Sequence, residues 1–213
     1  MPSILSRRRL LKSSLLYAVI DKETCRNNSV IGAAGNAIAQ GADIIQLRDK
    51  ISNKKQVLEY ANSISKLAKS RKKLFIINDF IDIAKIADCD GVHLGQDDMP
   101  IEAARKILGK QKLVGISCHS PKQAVSAQNK GADYIGIGPI FATPTKPKTL
   151  PIGLKTLREI NKLVQIPYFA IGGININTIR QIIDNGAKRI AVVRAANHGK
   201  KLKDILGKNL KRP

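Results

Sequence analysis

The sequence predicts an α/β protein built as one closed (β/α)8 barrel, and three observations carry that prediction. Eight short runs of aliphatic and β-branched residues recur along 213 residues, each followed by a segment with helical periodicity. The runs are continuously apolar, the mark of strands buried on both faces, and parallel strands of that kind need crossover helices. Three helix-to-strand junctions repeat one phrase, Gly41-Ala42-Asp43, Gly131-Ala132-Asp133 and Gly186-Ala187-Lys188, in which a left-handed glycine ends the helix. Eight such units match the lower size limit of a closed barrel. The competing doubly wound open sheet is weakened because no G-x-G-x-x-G follows the first run.

Taken in order, the runs are LLYAVID (15–21), DIIQLR (43–48), KLFIIND (73–79), DGVHLG (90–95), KLVGIS (112–117), DYIGIG (133–138), PYFAIGG (167–173) and KRIAVVR (188–194). Between and after them, helical periodicity predicts helices near 29–40, 53–71, 80–87, 100–109, 121–130, 153–163, 175–185 and 198–208. The longest irregular connection, Gly138 to Ile152, is rich in Pro and Thr, and loops of that length after a strand are usually functional. No linker or low-complexity stretch interrupts the pattern. The expectation is therefore a single domain over residues 1–213, with a short basic segment at 1–14 and a basic tail at 198–213.

Composition narrows the function classes. With 43% hydrophobic and 25% charged residues the chain is ordinary globular material, and no apolar run approaches the roughly 18 residues of a membrane span. With no Trp, four Tyr and four Phe, the core must be aliphatic, and a reader that stacks nucleobases on aromatic rings is poorly supplied. The net charge of +21 invites a nucleic-acid partner, but its distribution does not. Arg7, Arg8, Arg9 and Lys12 supply +4 at the start, the last 16 residues supply +5, and the remaining +12 is scattered along helical segments. Such scatter reads as solvated faces plus a site for small phosphorylated substrates, with no nucleic-acid and no membrane partner. Cys25, Cys89 and Cys118 show no CxxC spacing, so a cytoplasmic location is expected. The basic opening lacks the continuous apolar stretch of a cleaved signal, while a brief organellar address stays open.

A barrel of this kind carries its active site on the C-terminal rim of its strands, so the strand tips hold the chemistry. Gln46, Arg48 and Lys50 share one face of an extended segment, and a guanidinium fork beside an ammonium suits a phosphate or diphosphate. Read alone, they are equally cations at a solvated strand end. The third run ends Asn78-Asp79 and the fourth leads to Asp98. Each Asp taken singly reads as a helix cap or turn residue, whereas the two together at neighbouring tips can share a hard cation such as Mg2+. Ser117 and His119 at the fifth tip lack a G-x-S-x-G elbow, which disfavours hydrolysis. Ser117 is expected to donate to a substrate anion, and His119 reads equally as structural, capping or catalytic. His93 is expected to be packed or hydrogen-bonded within its strand, and His198 to lie in the basic tail. Thr143, Thr145 and Lys146 form a phosphate clamp or a merely rigid surface loop. Glycines at 172 and 173, with Val193 and Arg194, mark a second anion site after the seventh and eighth strands.

The strings QLRDK, IINDF, DGVHLGQDD, GISCH, DYIGIGPIFATPTK, AIGGI and GAKRIAVVRA, in this order and spacing, resemble the thiamine phosphate synthase family over Tyr17 to Ala196. The resemblance implies a Mg2+-dependent transferase. It joins 4-amino-2-methyl-5-hydroxymethylpyrimidine diphosphate to 4-methyl-5-(2-phosphoethyl)thiazole, releasing diphosphate in a dissociative substitution. It also implies that Gln46, Arg48, Lys50, Asn78, Ser117 and Lys146 contact the pyrimidine diphosphate, and that Asp79 and Asp98 hold the metal. Thr143, Thr145, Gly173, Val193 and Arg194 are implied to surround the thiazole phosphate, and residues 3–14 to form a helix ahead of the first strand. Arg48, Lys50, Ser117 and Lys146 are the residues expected to act on the departing group. The chain departs from the family pattern at Arg194, where many members carry Ser, and at Ala196, where Ile is common. The alternative is a thiazole tautomerase on the same scaffold, which needs a histidine base such as His119 and neither metal nor diphosphate.

Overall fold

The computed structural model describes residues 3–25, 29–145, 147 and 149–210, without the side chain of Leu210. Eight parallel strands close into a barrel in sequence order: β1 (Leu16–Asp21), β2 (Ile44–Arg48), β3 (Leu74–Asn78), β4 (Gly91–Leu94), β5 (Leu113–Cys118), β6 (Tyr134–Ile137), β7 (Tyr168–Ala170) and β8 (Ile190–Val192). Helix α1 (Ile4–Ser13) precedes them and the short α2 (Lys22–Cys25) follows β1. The outer ring consists of α3 (Val30–Ala39), α4 (Lys54–Ser70), α5 (Ile81–Ile86), α6 (Ile101–Leu108), α7 (Pro121–Asn129), α8 (Gly153–Leu163), α9 (Ile179–Asp184) and α10 (Gly199–Leu210). Every expected strand and helix is found. The expected helix at 175–185 begins only at Ile179, because the Asn175 side chain accepts from the Asn177 and Thr178 N–H groups and holds a turn there.

Strand alternation divides the core in two. Leu16, Ala18 and Ile20 of β1 face the helices, whereas Tyr17 and Val19 face the barrel axis with Ile44, Leu74, Ile76, Leu113, Tyr134, Phe169 and Ala191. Both sides of each strand are thus buried, which is why the runs read as unbroken apolar sequence. The three junction glycines do end their helices in the left-handed region, at φ +92°, +83° and +93°.

The aspartates beside two of those glycines have a structural task. Asp43, Asp90 and Asp133 stand just before β2, β4 and β6, and each carboxylate accepts backbone N–H groups where the preceding strand starts. Leu15 and Leu16 donate to Asp43, Phe75 to Asp90 and Val114 to Asp133. Each carboxylate also pairs with cations: Lys203 and Lys73 on Asp43, Arg7 on Asp90, Arg8 and Arg105 on Asp133.

The described parts of the basic ends therefore pack against the barrel. Helix α1 caps the N-terminal mouth of the barrel with Leu11 and Arg7 buried, and α10 buries Leu202 and Leu206. Among the described residues no helix is long and apolar enough to cross a membrane.

Asp88, between α5 and β4, illustrates the surface electrostatics. Partial burial alone would raise its pKa, but ion pairs with Lys112 and Lys69 outweigh that and bring it down to about 2. A depressed folded-state pKa stabilises the fold at every pH above the ordinary value of 3.8, and this contribution fades as pH falls toward about 2. Asp88→Asn should therefore unfold at lower denaturant than the parent at neutral pH. The difference should close across that acid window, and a pH-independent gap would contradict the account.

Candidate active site

The inward parity of the strands brings the polar tips together. Gln46 and Arg48 continue the inward face of Ile44, Asn78 that of Ile76, Ser117 that of Leu113, and Val193 that of Ala191. They line a cavity of about 460 Å3 at the C-terminal mouth, floored by Tyr17, Tyr134 and Phe169. Thr143, Thr145, Gly173 and Arg194 line the same cavity, so the two anion sites read from the strand tips open into one space. Lys146 lies outside the described residues.

Lys50, Asp79 and Asp98 sit together beside Asn78. The Lys50 ammonium is 2.7 Å from Asp79 Oδ2, and the Asp98 carboxylate lies close enough to raise the pKa of Asp79. Neither aspartate caps a helix: the residues at the N-cap positions of α5 and α6 are Phe80 and Pro100, and neither helix has a side-chain cap. Asp98 instead folds back on its own turn, accepting from Gly95 N–H at 2.6 Å. Asp79 holds φ +64°, a left-handed conformation unusual for a side-chain-bearing residue, while its N–H donates to His93 O. Burial and the neighbouring Asp98 carboxylate push the Asp79 pKa up against the opposing pull of Lys50. Burial acts the same way on Asp98, but the Gly95 N–H, the neighbouring Asp79 carboxyl and the Lys50 charge win and hold it low. Two carboxylates faced by one ammonium leave excess negative charge on an all-oxygen donor set, which fits a hard divalent cation completed by substrate phosphates. Among the described residues no cluster of three or more His, Cys, Asp or Glu offers a fuller metal site.

Several lining residues escaped the strand-tip reading. Asp21, at the end of β1, is 1% exposed and grips Arg48 Nη1 at 2.6 Å, aiming the guanidinium. An acidic residue closing the first apolar run was the available signal. His198, expected in a basic tail, instead lines the cavity from a 3-10 turn, Arg194–His198, that precedes α10. His119 also lines it, and its Nδ1 meets the Gly138 carbonyl. A carbonyl only accepts, so Nδ1 carries a proton. His93 is packed within the barrel as expected, with Nδ1 on Tyr134 and Nε2 on Ser117.

The far wall depends on Gly172 and Gly173, at φ +100° and +66°. A Cβ at either would fall 2.4 Å from the Pro139 side chain or 2.6 Å from that of Phe141. Only glycine permits the chain after β7 to lie against the long loop after β6.

Comparison with known proteins agrees with this architecture. The family model described as thiamine monophosphate synthase matches residues 16–196. A thiamine-phosphate synthase of Shouchella clausii is 45% identical over 184 residues, covering 86% of this chain and 88% of that protein. One from Halalkalibacterium halodurans is also 45% identical, covering 84% and 85%. A solved thiamine phosphate pyrophosphorylase from Pyrococcus furiosus superposes with a TM-score of 0.84 at 33% identity, covering 96% of this chain and 99% of that one. With the matched stretch running from the first strand into the 3-10 turn after the last, the chain belongs to the thiamine monophosphate synthase family.

Proposed function

We propose that the cavity joins 4-amino-2-methyl-5-hydroxymethylpyrimidine diphosphate to 4-methyl-5-(2-phosphoethyl)thiazole, with Gln46, Arg48, Lys50, Asn78 and Ser117 on the first substrate. Thr143, Thr145, Gly173, Val193 and Arg194 receive the thiazole phosphate. Lys146 is assigned to the diphosphate on its motif alone. The observation that carries the reading is the grouping of Arg48, Ser117 and Asn78 in one cavity beside the Asp79–Asp98 pair. A tautomerase would need neither that pair nor the cation beside it.

Asp79 and Asp98 would hold Mg2+, which when bound supplies charge neutralisation to the diphosphate. The methylene C–O bond breaks with its electron pair leaving on diphosphate, and the thiazole nitrogen then forms the new C–N bond. Arg48 and Lys50 face the charge that accumulates on the departing oxygens, while Ser117 donates a hydrogen bond to them. The aminopyrimidine ring releases electrons toward the methylene, so the path is dissociative and no protein nucleophile takes part. The three free, buried thiols Cys25, Cys89 and Cys118 support a reducing, cytoplasmic setting.

Incubating the purified protein with both substrates should release diphosphate only when Mg2+ is present. Absence of diphosphate release with both substrates and metal supplied would end the synthase reading. Asp21→Asn keeps the side-chain shape but removes the charge that aims Arg48, and kcat should fall about tenfold. Unchanged steady-state kinetics would show that Arg48 needs no such guide.

A further inference from the structure

Along the floor of the cavity, five side chains from five strands touch in series. Gln46 Nε2 is 2.6 Å from Tyr17 Oη, which is 3.0 Å from Tyr134 Oη. Tyr134 Oη is 3.2 Å from His93 Nδ1, and His93 Nε2 is 3.0 Å from Ser117 Oγ. All five line the cavity, with Gln46 and Ser117 at the ends of the series. We infer that the series is a one-way hydrogen-bond relay that presents Ser117 as a donor and the Gln46 carbonyl as an acceptor to the ligand, making Tyr134 and His93 positioning residues for Ser117. The inference rests on the assignment of Ser117 to the diphosphate given above.

The direction follows from proton counting. Burial pushes both phenol pKa values far up, so each Tyr is neutral and owns one proton. Each phenol has two contacts in the series, and therefore donates in one and accepts in the other. The Gln46 amide donates to Tyr17, so Tyr17 donates to Tyr134 and Tyr134 to His93 Nδ1. Nδ1 accepts and is bare, which puts the ring proton on Nε2, donated to Ser117 Oγ. The Ser117 proton is then unused within the series and faces the ligand. Reversal would turn the Gln46 carbonyl to Tyr17 and consume the Ser117 proton on His93. Ser117 would then show only lone pairs to an anion, which is repulsive. An anion at one end and a hydrogen-bond donor at the other thus match the same polarity, and a ligand offering an acceptor at Gln46 would oppose it.

The backbone is shaped for this path. A Cβ at Gly115 would lie 2.1 Å from the Tyr134 ring, and one at Gly136 would lie 3.2 Å from His93 Cε1. The inward positions of β5 and β6 are emptied where the two rings cross.

The test reads the His93 tautomer directly. In protein carrying 15N-labelled histidine at mildly alkaline pH, the His93 signals, identified by their loss in His93→Asn, should show a protonated Nε2 and a bare Nδ1. Adding inorganic diphosphate with Mg2+ should leave that pattern in place. Tyr134→Phe should bring the Nδ1-protonated form to a detectable share and lower kcat about tenfold, with KM for the pyrimidine substrate held within about twofold. Tyr17→Phe, one link further away, should move the same signals in the same direction. In a Ser117→Ala background, Tyr134→Phe should cost nothing more. A wild-type His93 protonated on Nδ1, or losses from Tyr134→Phe and Ser117→Ala that multiply, would overturn the relay. The tautomer measurement needs no turnover, so a failure of the coupling reaction itself would leave the relay to be judged on the imidazole signals.

Discussion

Asp79→Asn should lower turnover in the coupling reaction by about a thousandfold, roughly 4 kcal/mol of transition-state stabilisation. Asn is chosen because it tolerates the left-handed backbone at φ +64° and keeps the N–H donated to His93 O, so the tip of β3 retains its shape. What changes is charge. The Asp79–Asp98 pair loses half its negative charge, Lys50 loses the carboxylate at 2.7 Å, and the Mg2+ needed for half-maximal rate should rise about tenfold or more. Steady-state rates measured across Mg2+ concentration check both parts. Turnover within tenfold of the parent would mean that this pair does not hold the cation. The raised Asp79 pKa adds a direction: protonation as pH falls competes with the metal, so the Mg2+ requirement of the parent should grow in mild acid.

The largest effect on stability is expected at the opposite end of the barrel. Arg7 is 1% exposed, and its Nε donates to Asp90 Oδ1 at 2.8 Å while Nη1 donates to the Gln111 carbonyl at 3.0 Å. Asp90 is 4% exposed. Arg7→Ala would strand that carboxylate inside the protein with little besides the Phe75 N–H to compensate, at a cost of about 3–5 kcal/mol. Urea unfolding of Arg7→Ala should show this loss, and the double variant Arg7→Met with Asp90→Asn should recover most of it, because no buried charge then remains. A loss under about 1 kcal/mol would show that α1 is dispensable to the barrel. Since the cavity lies at the other mouth, kcat of the folded variant should match the parent.

These two predictions differ in how far the sequence foretold them. Asp79 and Asp98 were visible as acidic strand tips, and their alternative reading as helix caps was equally visible. Only the folded chain shows that neither caps and that they meet. Arg7 was legible merely as part of a basic terminus, since nothing local marks it as buried or names Asp90, 83 residues away, as its partner. The same limit applies to Asp21 with Arg48, and to His198, whose place in the cavity depends on the 3-10 turn before α10.

By itself the sequence determined the eight-fold βα repeat, the helix-ending glycines, the doubly buried strands and the set of polar residues carried at the strand ends. All are consequences of short-range periodicity and backbone sterics. The tertiary structure alone decided which of those residues touch. It joined Asp79 to Asp98, set Asp21 on Arg48 and strung Gln46 to Ser117 through two tyrosines and a histidine. The physical reason is that parity along a strand is local, whereas register between strands and closure of the barrel depend on contacts far apart in the chain.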